Sequence, residues 1–517
     1  MPKHLRLDPS RREFVEQALA MAGVALAGTT VRAADEAASG PTAKPTQKVR
    51  VAVIGCNGQG GGHIREWLDL PEVELVAISD CDPNAYEAQM RRLEKRDEEK
   101  RDAEKGGAEK SDTEHTAVHR TKPEYIKDFR ALLDRKDIDA VSIATPNHWH
   151  ALMAVWAMQA GKDVYVEKPC SHNVEEGRVI TQWARKLGRM CQMGVQSRSM
   201  SGTRQMMEFV KSGKIGTIKA AHAICFRLRD SIGLVDTPAP IPPGLDFDLW
   251  AGPAPKEIPV RKRLHYDWHW NHVTGNGDLG NQNPHELDKC RWAIGKQELP
   301  KRVVSLGGRL GYVDNGDVAN SQVTIFQWDD AVLISDVRGL PVKTPVTFGL
   351  KVENPLEKAS AVIYGTEGFV VCPNYTSAVG FDYDGHELGR WDGGKYRQHF
   401  ANFVKAVQSR RHEDLNLDIE DGHLSSALAH LGNVSWALGE AVPIDARPTL
   451  AADDPHVKAS LDTFLTYLQD NAVDVSTTKL ALGRELTIDP KTEKSSDAEA
   501  NRLFTRDYRK GYELPRL

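Results

Sequence analysis

Gly161-Lys-Asp-Val-Tyr-Val-Glu-Lys-Pro-Cys-Ser171 decides how this chain reads. A turn glycine precedes a short β-branched and aromatic run, which ends in a Glu-Lys-Pro corner. Such a corner sets Lys168 at the carboxyl end of a strand, where open α/β sheets bind ligands. Pro169 lacks an N–H and has a fixed φ, so it ends the strand there. Upstream, residues 138–150 read Ile-Asp-Ala-Val-Ser-Ile-Ala-Thr-Pro-Asn-His-Trp-His, a buried strand and a Thr145-Pro146-Asn147 turn. An apolar helix follows and closes at Gly161. The segment is a strand-helix-strand unit ending at Lys168.

Further out, Lys48-Val-Arg-Val-Ala-Val-Ile-Gly55 is an apolar strand running into Cys56-Asn-Gly-Gln-Gly-Gly-Gly-His63. A strand, a glycine turn and a helix in this order cradle a pyrophosphate on backbone N–H groups. Gly55, Asn57, Gly58, Gln59 and Gly60 are the candidate cofactor residues. Gly55 and Gly60 take the first and third glycine positions of G-x-G-x-x-G, and Asn57 replaces the second. Asparagine tolerates a left-handed backbone, and Gly58 beside it adds freedom, so the turn is expected to survive. Glu74 to Asp80 is the second strand. Asp80 stands where a carboxylate takes adenosine ribose hydroxyls and repels a 2′-phosphate, which favours NAD over NADP. Asp80 or Asp82 can also cap the following helix.

The run from Asp139 through Ala-Thr-Pro-Asn-His-Trp-His150 to Val-Tyr-Val-Glu-Lys-Pro169 resembles the Gfo/Idh/MocA family of nicotinamide-dependent oxidoreductases. The resemblance extends from about Val49 to about Pro443. It implies an N-terminal Rossmann domain and a C-terminal α+β domain with a mostly antiparallel open sheet. The family's lysine faces a histidine that is followed three residues later by an aspartate, and His285 and Asp288 match those positions. Many members carry an acidic residue one turn before the histidine, where this chain has Asn281. An amide can position a hydroxyl but cannot take its proton.

Length and composition bound the rest. At 517 residues with a formal charge of −5, the chain suggests two domains with appendages and offers no basic footprint for nucleic acid. Seven scattered cysteines form no Cys-x-x-Cys pair, so neither a zinc site nor a disulfide framework is expected. His148 and His150 lie in a turn without an acidic partner, and cap a helix or line the cofactor site in preference to binding metal. Ser10-Arg-Arg-Glu-Phe-Val15, a short apolar stretch and a small-residue site near Ala33 read as a twin-arginine-type signal peptide over residues 1–34. This predicts export to the periplasm and no membrane span in the mature protein.

Residues 35–47 read as a linker, 48–198 as the nucleotide domain, 199–452 as the substrate and oligomerisation domain, and 453–517 as an extension without a functional signal. The mixed charges of Glu87–His115 read as a solvated insertion. Strands are expected at 217–229, 302–310, 321–329, 331–337, 346–352 and 361–364, and helices at 397–409 and 422–438. Met190 to Arg198 is expected to be a closing strand that presents Gln196 to the cofactor and Arg198 to the substrate.

Oxidising a secondary alcohol needs a hydride acceptor on one side and a proton acceptor on the other. Histidine titrates near neutrality, so His285 is the candidate base, with Lys168 stabilising the alkoxide and Asn281 positioning the hydroxyl. Thr145, Pro146, Asn147, His150, Glu167, Lys168 and Gln196 complete the cofactor set. Arg198, Trp270 and Asp288 join Lys168, Asn281 and His285 around the substrate. Trp268, Trp270 and His272 either wall a sugar or fill the interdomain core. The leading expectation is an exported, NAD-dependent oxidoreductase for a sugar, cyclitol or glycoside, with a tightly held cofactor. A glycoside-cleaving enzyme that oxidises transiently and eliminates, and a non-catalytic sugar-binding protein of the same fold, are the alternatives. The resemblance also implies a homo-oligomer, a dimer or tetramer.

Overall fold

In a computed structural model of the protein, residues 48–105, 122–352, 356 and 359–517 are described. Residues 1–34 and 35–47, where a signal peptide and a linker are expected, and residues 106–115 of the charged insertion lie outside them.

Six parallel strands form the first sheet: β1 (Val49–Ile54), β2 (Val73–Ser79), β3 (Glu124–Ile126), β4 (Ala140–Ile143), β5 (Asp163–Glu167) and β6 (Cys191–Gly194). Their order is β3-β2-β1-β4-β5-β6. The register aligns Ile54 with Ile143, Ile143 with Val166, and Glu167 with Gly194. Because these are the last or next-to-last residues of their strands, the glycine turn, Thr145 and Lys168 emerge side by side at one carboxyl edge, where the strand order reverses. Helix Asn147–Gln159 is buried nearly all round, as its uniformly apolar sequence requires. Helix Val174–Leu187 starts at Asn173, whose side chain accepts the Glu176 N–H, and stops at Gly188 with φ 58°.

The second sheet is twelve-stranded among the described residues. Its centre is β7 (Ile218–Phe226), parallel to β10 (Val332–Arg338) and antiparallel to β11 (Ala359–Gly365). The other pairings are antiparallel, including β8 (Arg302–Gly308) with β9 (Ser321–Gln327). One face packs helices Pro284–Ile294 and Ile419–Ala437 in a core that includes Leu287, Leu428 and Phe326. The other face is covered by the chain's own helix Pro455–Asp470, through Val457, Leu461, Phe464 and Leu468 against Val304, Val323 and Ile334.

The extension after residue 453 is structural. Leu486, Ile488 and Phe504 enter the main core, and Tyr512 and Leu514 enter the core of the first sheet. Residues 346–352 do not form the expected strand: Val346 makes a single bridge to Leu356, and Phe348 and Gly349 turn the backbone with φ 51° and 77°. The closing strand ends at Gly194, so Gln196 and Arg198 sit on a 3-10 turn, Gln196–Ser199. Helix Pro83–Lys105 begins the charged insertion, with Asp82 accepting the Asn84 N–H at its start. None of the described helices is long and apolar enough to cross a membrane.

Candidate active site

A cavity of about 550 Å³ runs along the carboxyl edge of the first sheet. At one end it is lined by Asp80, Lys127 and Phe129, then by Gly55, Asn57, Gly58 and Gln59, and at the far end by Lys168, Asn281 and His269. Thr145, Pro146, Asn147, His150 and Glu167 also line it.

The glycine turn fits a dinucleotide. A Cβ on Gly60 would lie 1.9 Å from the Gly55 carbonyl oxygen, and one on Gly55 would lie 2.8 Å from that of Ala144, so neither position admits a side chain. Gly58, the residue before helix Gln59–Leu68, faces open space and no side chain caps the helix. Apart from that of Gly60, which donates to the Asn57 carbonyl at 2.9 Å, the N–H groups of its first turn are a cradle for an anion. Gly60 is thus a packing residue that does not line the cavity. Asp80 receives the Cys56 and Asp82 N–H groups, both at 2.9 Å, and its carboxylate still faces the cavity with lone pairs to spare. Burial raises its pKa, against those two N–H groups.

At the other end, Glu167 is buried beneath the lysine. His63 Nε2 lies 3.0 Å from its Oε1, and Gln59 donates to the same oxygen at 3.2 Å. Burial alone would raise the Glu167 carboxyl, but the bond and charge of His63, with the charge of Lys168, hold it at about 2. His63 Nε2 therefore donates to Glu167, and Nδ1 lies 2.9 Å from Ser142 Oγ. Lys168 precedes a cis peptide to Pro169, and its ammonium donates to the Asn281 carbonyl and to Asn281 Oδ1 at 3.4 Å. Burial lowers its pKa, opposed by Glu167 and Asp278. The two sequence-distant residues, Lys168 and Asn281, are brought together as expected.

Other expected site residues have different work. His150 braces the corner, with Nδ1 2.7 Å from the Pro169 carbonyl oxygen and Nε2 2.8 Å from that of Thr145. Asn147 donates to Asn276 Oδ1 across the two sheets' domains at 2.9 Å. Gln196 does not line the cavity; it donates to Tyr396 Oη at 3.0 Å behind Glu167.

Arg198 and Asp288 do not face a substrate. They form a two-pronged ion pair at 2.7 and 2.8 Å, Ser425 Oγ donates to the same carboxylate, and Trp292 stacks on the guanidinium at 4.3 Å. Both side chains are buried, so this pair is a fastener between the 3-10 turn and helix Pro284–Ile294. Trp270 is buried between Arg229 and Arg309 and does not line the cavity. His285 lies beside Tyr375, with ring centres 4.9 Å apart, and is not among the lining residues. Burial, followed by the charge of Lys168, lowers it to about 3.

Of Trp268, Trp270 and His272, Trp268 lines the cavity, together with Tyr266 and His269, whereas Trp270 is buried in a core and His272 is not among the lining residues. The Trp-His-Trp run was the available signal, but only the turn geometry tells which ring faces inward. His148, like His150, is structural: its ring nitrogens lie 3.1 Å from the Trp250 oxygen and 3.4 Å from that of Thr274.

Comparisons with known proteins agree with this architecture. Residues 49–195 match the model described as the oxidoreductase family with an NAD-binding Rossmann fold. The alpha-N-acetylgalactosaminidase of Shewanella oneidensis is 28% identical over 228 residues, which are 41% of this chain and 45% of that protein. A glycosyl hydrolase family 109 protein of Shewanella pealeana is 28% identical over 224 residues, with the same two shares. The chain thus spans less than half the length of these curated relatives. A levoglucosan dehydrogenase solved with NADH and levoglucosan superposes with a TM-score of 0.52 at 18% identity, covering 74% of this chain and 95% of its own. The WlbA dehydrogenase of Bordetella pertussis, solved with NADH and UDP-GlcNAcA, gives 0.50 at 19%, covering 74% and 95%. At such identities these structures show the fold. Residues 49–195 thus match the NAD-binding Rossmann domain of the Gfo/Idh/MocA oxidoreductase family.

Proposed function

We propose that the protein is an NAD-dependent oxidoreductase that acts on a secondary hydroxyl of a sugar, cyclitol or glycoside. The observation that carries this reading is one continuous cavity, which joins Asp80 and the glycine turn to Lys168 and Asn281. Bound there, NAD supplies an acceptor for a hydride. The amides after Gly58 hold the pyrophosphate, and Asp80 takes the adenosine ribose hydroxyls. Lys168 holds positive charge where an alkoxide develops, and its anchorage on Asn281 fixes that charge before the substrate arrives. The rings of Tyr266 and Trp268 at the cavity wall suit the apolar face of a sugar.

The Ser10–Val15 motif supports export by the twin-arginine route to the periplasm. Free nicotinamide is scarce there, which favours a cofactor that is retained and recycled by a second, carbonyl substrate. The homo-oligomer in this reading rests on the family resemblance, and its interface must avoid the sheet face beneath helix Pro455–Asp470. The test is to denature the purified protein, measure the NAD or NADH released, and then assay glycosides paired with carbonyl acceptors. About one NAD per chain and hydride exchange between the pair support the reading; failure to bind added NAD ends it.

One observation favours a second reading: the curated matches are glycosidases. Transient oxidation that acidifies a neighbouring C–H and eliminates the leaving group would release a free sugar with no net NADH. Product analysis separates the two.

A further inference from the structure

The turn from His265 to Trp270 is the least expected part of the cavity. Tyr266 has φ 64°, a backbone region a bulky residue avoids, so the turn persists only because its surroundings fix it. Four contacts do so. Arg263 pairs with the buried Asp267 at 2.6 Å, and Thr274 Oγ1 donates to the Trp268 carbonyl at 2.9 Å. Arg229 donates to Tyr266 Oη at 3.1 Å and grips Asp278 with two bonds of 2.7 and 2.8 Å. Gly275 leaves room for the turn, since a Cβ there would lie 2.6 Å from His269 Cα. Asp278 and Asn281 belong to the same short helix, Gly277–Asn281. That one element therefore anchors the His269 turn through Arg229 and holds the Lys168 ammonium through Asn281.

Within the turn, the His269 ring stacks on Trp268 with centres 3.6 Å apart, and Nδ1 lies 2.5 Å from the Tyr266 carbonyl oxygen. A carbonyl only accepts, so Nδ1 carries the hydrogen and the neutral ring keeps its lone pair on Nε2. Nε2 has no protein partner among the described residues. Burial, with the charges of Lys168 and Arg229, keeps the ring neutral. His269 and Lys168 line the same cavity, whereas His285 does not.

Resting on the oxidoreductase reading, we infer that His269, through Nε2, is the base that takes the substrate's hydroxyl proton in this protein, in place of His285. The balance is complete. The carbinol C–H bond breaks and its hydrogen leaves with two electrons to the nicotinamide of NAD. The O–H bond breaks and its proton forms an N–H bond at Nε2, and the alcohol carbon becomes a carbonyl. Lys168 stabilises the oxygen throughout and need not lose its proton. Reduction of the second, carbonyl substrate returns both the hydride and the proton.

Asparagine can donate where Nδ1–H does but has no acceptor at the place of Nε2, so His269→Asn separates the ring's anchor from its base. With the whole NAD-loaded protein and a panel of myo-inositol, levoglucosan and methyl glucosides, H269N should lower kcat by about 10²-fold or more. Its Kd for NAD should stay within about twofold, and His285→Asn should keep kcat within about fivefold. Should H269N not fold, His269→Gln, which offers an acceptor but cannot hold a proton, is read the same way. Nitrogen-15 spectra of the labelled protein should show the His269 ring as the Nδ1–H tautomer.

Normal turnover in H269N, loss of turnover in H285N alone, or an Nε2–H tautomer would overturn the assignment. So would a loss of NAD affinity in H269N as large as the loss of kcat, which would make His269 a cofactor contact. A wild type that binds NAD but reduces none with any probe overturns the oxidoreductase reading itself, and is recognised without any variant.

Discussion

Lys168, half-buried at the cavity, and Arg198, buried, are cations each close to one end of a motif that reads as a site, yet they are held in opposite ways. Arg198 spends its guanidinium on a two-pronged bond to Asp288, which is closed further by Ser425 and Trp292. Among the described residues the Lys168 ammonium donates only to Asn281, and it faces a cavity with its remaining capacity. A saturated buried charge fastens; an under-used one acts. The difference teaches that burial and an acidic neighbour do not by themselves mark a substrate-binding group.

The contrast breaks most sharply at Asp288. Asp288→Ala leaves the buried Arg198 with only the more distant Asp421, 3.9 Å away, so it should cost about 3 kcal/mol in urea unfolding. Replacing both partners together, Arg198→Met with Asp288→Leu, should recover most of that loss and leave NAD binding intact. A double variant that stays stable but no longer turns over would return the pair to the active site.

Lys168→Met is the mirror experiment. Stability should change little, because methionine fills the stem's place and Asn281 is half-buried at the cavity wall and can turn to water. Turnover should fall by about 10²–10³-fold with NAD affinity nearly kept, as when one preorganised donor to an oxyanion is removed. Equal losses of kcat and NAD affinity would instead make Lys168 a cofactor anchor.

This division was only partly legible in the chain. The glycine turn, Asp80 and the Lys168 corner could be read because local spacing dictates them and the parallel register then aligns them. Arg198 and Asp288 lie far apart in sequence, and no local pattern says that they meet each other before they meet a ligand. The tail was opaque for a related reason. Leu486, Ile488 and Phe504 stand singly among polar residues, so their burial exists only once the main sheet is there to receive them. Among Trp268, His269 and Trp270 the inward ring is selected by the φ of Tyr266, which no propensity predicts.

The two corners should also differ in acid. His399 Nε2 lies 2.8 Å from the Met193 carbonyl oxygen and Nδ1 2.7 Å from Ser199 Oγ, next to Arg198, and burial lowers it from 6.5 to about 4. The unfolded chain takes this proton before the folded one does. Stability from His399 is therefore complete above pH 6.5 and falls by about 1.4 kcal/mol per pH unit down to about pH 4, or about 3 kcal/mol in all. On the Lys168 side, Glu167 is held at about 2, so its contribution is complete above pH 4.5 and is lost only below that. Unfolding followed from pH 7 to 4 should be flatter in His399→Gln than in wild type. Matching slopes would mean that the acid limb arises elsewhere.

Asp80 stands between the two extremes, and the smallest effect is expected there. Its carboxylate takes one backbone N–H from its own loop and one from the glycine turn, like a fastener, yet lines the cavity like Lys168. Asp80→Asn keeps one carbonyl oxygen for those N–H groups and removes the charge that repels a 2′-phosphate. One backbone N–H is then left short of an acceptor, a cost of about 1 kcal/mol in stability, offset in part by the loss of a buried charge. Preference for NAD over NADP should shrink by about tenfold, which is ~1.4 kcal/mol, measured as the ratio of the two Kd values. A ratio that does not move, with stability lowered as expected, would show that Asp80 belongs with Arg198, as a group fully spent on its own fold.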